Sequence, residues 1–309
     1  MTEFQVPSGN WQRDSASGAM AFMAYRLPGS REVEISMIEK ILVATDGSEA
    51  SASAERFAVS LAARLKATLH GLAVVEDSLI RGMREDGLGV PPPRNEEMET
   101  YLKERATAIC RRLTERGRSA GLEIRSESLR GIADDCITER GRSAHLLVIG
   151  RNGVNATFRT GLIGSVADAV LRKTQKPALV VPPGADLSGP IILGFDGSPG
   201  SKRATDLAKE MALRLQVPLH IFVDSKDKDR AVVRFSQARQ LLGDDRLTIH
   251  ESASTLGRPE MKIVECAKNV NAGLIVMGAY GRNRITEYFM GSNAASVVRT
   301  SPVAVLLAR

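Results

Sequence analysis

Near its C-terminal end the chain reads MGAYGRNRITEYFMGSNAASVV, from Met277 to Val298. Gly278 and Gly281 stand three apart, nine residues follow, and then come Gly291 and Ser292. Glycine lets a backbone run close to a ligand and turn its N–H groups toward it. A Gly-Ser pair at the start of a helix leaves amide groups and the positive end of the helix dipole facing outward, which suits a phosphate. Ser292 could cap that helix or offer its hydroxyl to a phosphate oxygen. Arg282 and Arg284, in the intervening loop, would add positive charge. In a single copy the spacing fits a phosphate loop and a pair of plain turns equally well.

The pattern occurs twice. Gly150, Gly153, Gly164 and Ser165 follow the apolar run HLLVI as the later set follows GLIVM. Upstream, ILVATDGSEAS from Ile41 and IILGFDGSPGS from Ile191 align at a constant offset of 150, so Asp46 falls on Asp196, Ser48 on Ser198 and His70 on His220. Asp46 lies 104 residues before Gly150, whereas Asp196 lies 82 before Gly278, so the first copy carries 22 extra residues. They fall around Glu76 to Asn95, where GLGVPPP excludes a helix or a central strand. The chain thus divides into an N-terminal extension, 1–36, expected to be loose, and two repeats, 37–185 and 188–309. Ten residues, not nine, separate Gly153 from Gly164, so the second repeat is expected to hold a phosphate better.

Each repeat must position these residues on alternating strands and helices. In the second, PIILGF, PLHIFV, RLTIHES, GLIVM and VAVLLA read as strands. Apolar residues at helical spacing, such as Ala204, Leu207, Ala208, Met211 and Leu215, predict the helices between them. Continuous Val, Ile and Leu runs imply parallel strands buried on both faces. The order predicts two tandem doubly wound five-stranded α/β domains. In such sheets ligands bind beyond the carboxyl ends of the strands, where the strand order reverses. Asp46, Asp196 and both glycine sets lie at that edge. The apolar last strands, 177–182 and 303–308, are expected to pair with each other and pack the repeats as a pseudo-dimer.

The paired aspartates, with G-x2-G-x9-G-S in the second repeat, resemble the universal stress protein family in its tandem form, in the branch that binds ATP. The likeness covers both repeats. It implies the adenine-nucleotide α-hydrolase-like fold and ATP as ligand, with Mg²⁺ as an optional companion. By the same resemblance Asp196 would meet adenine or ribose, and Val223 the adenine. Gly278, Gly281, Gly291 and Ser292 would meet ribose and phosphates, joined by Arg282 and Asn293. Asp46, Gly150, Gly153, Gly164 and Ser165 would serve the first repeat, with Val75, Arg151 and Val166 beside them. The family implies a stress-response regulator acting on an unidentified signalling protein, without dedicated catalysis. A slow ATPase or self-phosphorylating enzyme of the same fold, and a nucleotide-free interaction module, remain the alternatives. After the first strands stand ATDGSEAS and GFDGSPGS, without the double glycine of an S-G-G-x-D-S loop, which argues against an adenylating pyrophosphatase.

Composition narrows the field. The net charge of +6 permits an anionic ligand, yet no run of five or more Lys/Arg occurs and aromatics make up only 4%, so nucleic acid is not expected as a partner. Cys110, Cys136 and Cys266 form no C-x-x-C pair, which fits a reducing cytoplasm. The four histidines lack metal-ligand spacing, and no apolar run reaches the ~20 residues of a membrane span. Ser48 and Ser198 precede helix patterns and are expected as N-caps, not nucleophiles. His70 and His220 are expected as packed strand residues. Glu96, Glu97 and Glu99 are expected to open a helix. A homodimer of the whole chain completes the expectation.

Overall fold

The computed structural model describes residues 38–76, 96–153, 163–243, 246–255, 257–279 and 290–309. The extension 1–36 and nearly all of the extra segment around Glu76 to Asn95 lie outside them. The first repeat runs β1 (Lys40–Ala44), α1 (Glu49–Leu65), β2 (Thr68–Glu76), α2 (Glu96–Ser119), β3 (Ile124–Gly131), α3 (Ala133–Gly141), β4 (Leu146–Gly150), α4 (Ser165–Lys173) and β5 (Ala178–Val181). The second runs β6 (Ile191–Gly194), α5 (Pro199–Leu215), β7 (Leu219–Asp224), α6 (Lys228–Leu242), β8 (Ile249–Ser254), α7 (Pro259–Asn269), β9 (Leu274–Gly278), α8 (Ser292–Thr300) and β10 (Ala304–Ala308).

The strands join into one ten-stranded sheet of order β3-β2-β1-β4-β5-β10-β9-β6-β7-β8. Each half is parallel throughout, and the single antiparallel pair is the seam, where Val305 faces Val180 and Leu307 faces Ala178. The apolar last strands are therefore central, as their continuous burial requires. The outer strands β3 and β8 carry polar residues along their length, which suits an edge. Side chains alternate between two cores. Ile41 and Val43 pack with α1, α2, α5 and α6 on one face; Leu42 and Ala44 pack with α3, α4, α7 and α8 on the other. Both cores run across the seam.

The helices repeat the relation between the halves. Arg64, in the last turn of α1, donates to the Leu215 carbonyl that ends α5 at 2.6 Å. Arg214, 150 residues on, donates to the Leu65 carbonyl that ends α1. A cation at each helix C-terminus satisfies orphan carbonyls of the other repeat. Such reciprocity is what a two-fold contact demands. Arg214 also donates to Glu210 and to the Ile38 carbonyl, while Glu210 accepts the Ile38 amide at 2.6 Å. Among the described residues no helix is long and apolar enough to cross a membrane.

Candidate functional site

Within each half the strand order reverses between its first strand and the one that ends in glycine, β1 and β4 or β6 and β9. The turn after the first strand is built alike in both. Asp196 accepts the Ser198 amide at 2.9 Å, and Ser198 Oγ accepts the Ser201 amide at 3.2 Å. Asp46, Ser48 and Ser51 repeat these bonds at 3.0 and 3.1 Å. Ser48 and Ser198 are thus N-caps, as expected from sequence. The turn needs a left-handed residue, supplied by Gly47 at φ 76° and Gly197 at φ 79°. Sequence reasoning aligned Gly47 with Gly197 in the repeated D-G-S but gave them no conformational role.

The glycine that ends β9 has a packing reason. A Cβ on Gly278 would lie 2.7 Å from the Gly200 carbonyl carbon, because the start of α5 crosses there. Gly150 lies against the start of α1 in the same way, with Ser51 Cα at 3.4 Å. Neither takes a positive φ. Farther on, the Gly291 amide donates to the Ala279 carbonyl at 2.9 Å, and the Gly164 amide to the Arg151 carbonyl at 2.9 Å. These bonds close the base of each loop. Gly281, Arg282 and Arg284, in the second loop, lie outside the described residues.

Gly291 and Gly164 are themselves the N-caps of α8 and α4, and neither cap has a side-chain hydrogen bond. Ser292 and Ser165 are therefore the first helical residues, which corrects the capping role, one of the two expected of Ser292. The first intrahelical bond of α8 runs from the Ala295 amide to the Gly291 carbonyl, so the amides of Ser292, Asn293 and Ala294 come before it. Ser292 and Asn293 are exposed.

A cavity of about 540 Å³ opens at this place in the second repeat. Phe195, Phe222, Ile263, Met277 and Val297 give it apolar walls, and Asp196, Asp224, Arg234, Glu260, Ser292 and Asn293 give it polar ones. Gly278 and Gly291 complete the floor near α8. Val223 does not line it: the side chain is fully buried in the core toward α5 and α6. Its neighbours Phe222 and Asp224 face the cavity instead. Sequence reasoning missed Asp224, Arg234 and Glu260. The alternation along β7 would have put Asp224 on the Phe222 face, but nothing marked that face as hollow.

The first repeat treats the same edge differently. Arg105 of α2 donates to the Asp46 carbonyl at 3.0 Å and Arg112 to the Gly47 carbonyl at 3.2 Å. Ile109 packs on Gly47 so closely that a Cβ there would meet its Cδ1 at 2.6 Å. A Cβ on Gly153 would stand 2.6 Å from Asp46 Oδ2, so the loop lies against that carboxylate. Val75 is buried among Leu102, Ala106 and Ile109. By the matching registers, Leu42 to His70 and Ile192 to His220, the position equivalent to Val223 is Ala73, two residues earlier.

Arg151 donates through Nε to Asn152 Oδ1 in its own loop at 3.3 Å, and it also reaches out of that loop. Its guanidinium donates to the carbonyls of Ser301 at 2.7 Å and Arg299 at 3.2 Å, at the end of α8 in the other repeat. Burial lowers its pKa. Val166, beside Ser165, is half-buried in the opening turn of α4. Among the described residues no group of three or more His, Cys, Asp or Glu could hold a metal ion.

Comparison with known proteins bears on both repeats. The model of the universal stress protein family matches residues 37–182 and again 188–309. The universal stress protein Slr1230 of Synechocystis is 23% identical over 288 residues, covering 88% of this chain and all of that protein. A universal stress protein of Mycolicibacterium smegmatis is 26% identical over 290 residues, covering 87% of this chain and 96% of its own length. Among solved structures, a universal stress protein from Archaeoglobus fulgidus superposes with a TM-score of 0.72 at 21% identity, covering 88% of this chain and 98% of that one.

Proposed function

The chain belongs to the universal stress protein family, and from that premise we propose that it binds ATP in the cavity of its second repeat and acts as a stress-response regulator without dedicated catalysis. One observation carries this reading: a cavity of about 540 Å³ at the strand-order reversal meets the start of α8, whose N-cap Gly291 makes no side-chain bond to it. The volume lies in the range of small-molecule sites. The free amides and dipole of α8 suit phosphates, Asp196 stands where a ribose or base would pass, and the apolar walls suit a purine. A magnesium ion would arrive on the phosphates, since the described residues offer no cage of their own.

The reading includes the absence of efficient turnover. Among the described lining residues the candidate bases are the carboxylates Asp196, Asp224 and Glu260, and none has a hydrogen bond to Ser292 to make a base–nucleophile pair. A turnover of about 1 s⁻¹ or more with ATP would overturn this part. A cytoplasmic setting goes with it, as no disulfide links the three cysteines. We also propose a homodimer, acting on a signalling protein; a solution mass near the 33.3 kDa of one chain would refute the dimer.

Calorimetry tests the ligand. Asn293→Glu adds a carboxylate at the exposed start of α8, where it favours the helix dipole but repels a phosphate. The expected result is a loss of ATP affinity of about tenfold or more, against little change for Val166→Glu at the matching place in the first repeat. Unchanged ATP affinity in Asn293→Glu would overturn the assignment.

A further inference from the structure

The cavity of the second repeat is polarised. At the α8 end stand amide donors; at the β7 end stand the carboxylates of Asp224 and Glu260, with the Arg234 guanidinium beside Asp224. The two ends are separated by β6 and β9, strands spaced about 5 Å apart, so roughly 10 Å lies between them. A ligand filling this space carries anionic oxygens at one end and hydrogen-bond donors at the other.

Asp224 makes the second requirement specific. Its Oδ1 is buried and has no hydrogen-bond partner. The nearby Arg234 donates to the Asp224 main-chain carbonyl at 2.6 Å. A buried acceptor without a donor is costly, more so when charged. Phe222, on the same face of β7, and Ile263 across from it form an apolar slot beside this carboxylate. A flat heterocycle in that slot would turn its edge to the Asp224 carboxylate, which lines the cavity on the Phe222 side.

We propose that Asp224 is the base-selecting residue of the site, accepting a hydrogen bond from the exocyclic amine of the nucleotide's base. The proposal rests on the nucleotide reading above and extends it to a choice between bases. Adenine offers an amine at its edge. Hypoxanthine places a carbonyl there, which would face the carboxylate oxygen against oxygen. Purine without a substituent offers nothing.

The test pairs ligand atoms with one side chain. Binding of ATP, inosine triphosphate and purine riboside triphosphate is measured by calorimetry on the full chain and on Asp224→Asn. The wild type is expected to favour ATP over each of the others by about tenfold or more, the loss of one hydrogen bond to a charged acceptor. In Asp224→Asn, whose amide can donate to a carbonyl, the preference for ATP over inosine triphosphate should fall by about tenfold. Equal wild-type affinity for ATP and purine riboside triphosphate would overturn the proposal and leave ATP binding standing. So would unchanged preferences in the variant. No binding of any nucleotide to the wild type would overturn both. If the variant fails to fold, as circular dichroism would reveal, the wild-type preferences alone decide.

Discussion

Glu55 and Thr205 occupy the same turn of the same helix in the two repeats, and both are fully buried. Thr205 donates its hydroxyl to the Ser201 carbonyl within α5 at 2.9 Å. Glu55 gathers Thr45 at 2.6 Å, Arg112 at 2.6 Å and Arg116 at 2.9 Å. The two arginines come from α2, which has 24 residues against 15 in α6. A buried acid in one repeat thus binds a long helix down over the Asp46–Gly47 turn. A buried hydroxyl in the other makes no such demand, and a cavity lies at the matching edge. The difference teaches that the same strand edge in two repeats can carry a helix packed on its turn or not, according to one buried polar choice nearby.

The comparison breaks first where that acid is stranded. Removing both Arg112 and Arg116 by Met substitution leaves Glu55 without its cations, at an expected cost of about 3–5 kcal/mol. Thr205→Ala in the second repeat should cost about 1 kcal/mol. Denaturant melts of the two variants decide whether the repeats rest on these different supports. At the seam, Val305→Pro removes a ladder donor from a strand paired on both sides. A loss of about 3 kcal/mol or more is expected. Wild-type stability in that variant would show that strand pairing does not hold the halves together.

Smaller effects sharpen the contrast. Gly278→Ala drives a Cβ against the Gly200 backbone at 2.7 Å, whereas the closest atom for Gly150→Ala is the Asn152 carbonyl at 3.1 Å. The first is expected to cost about 1–3 kcal/mol and the second less. Thermal melts that reverse the order would mean the repeats relax differently from their geometry. The smallest effect concerns pH. His220 stacks on His250 with ring centroids 4.6 Å apart, and burial, then the His250 charge, lowers its pKa. His70 faces Arg125 in the matching strand pair, and burial, then Arg140 and Arg125, lowers its pKa too. A lowered imidazole binds its proton more weakly folded than unfolded. Its contribution is complete above the ordinary value of about 6.5 and is lost as pH falls below it. His250→Gln should shrink that decline, and an unchanged pH profile would remove the stacked pair from the account.

The duplication, the strand and helix order and the pairing of the last strands were legible because apolar runs and constant offsets survive in the residues themselves. Asp46 and Asp196 were legible as a matched pair, and the cavity edge they mark follows from the strand order. The uses of individual side chains were not. Arg151 stands next to a loop glycine in sequence, yet it reaches carbonyls 148 and 150 residues away. Gly278 signals a close approach, but only the crossing of α5 shows that a helix backbone makes it. The extra segment before α2 reads as loop, while the greater length of α2 itself was hidden in an ordinary helical pattern. Asp224 gives no signal beyond strand alternation, since its meaning depends on the space beside it.

The seam between β5 and β10 has one more consequence. Two separate single-repeat chains meeting edge to edge would come apart on dilution, and each would have to carry the same surface. Joined in one polypeptide, the halves face each other at an effective concentration of order millimolar, whatever the amount of protein in the cell. Substitutions in one half need not be mirrored in the other. A residue such as Arg151 can therefore reach across to a partner surface that has no equivalent on its own side, and a covalent pair becomes free to specialise.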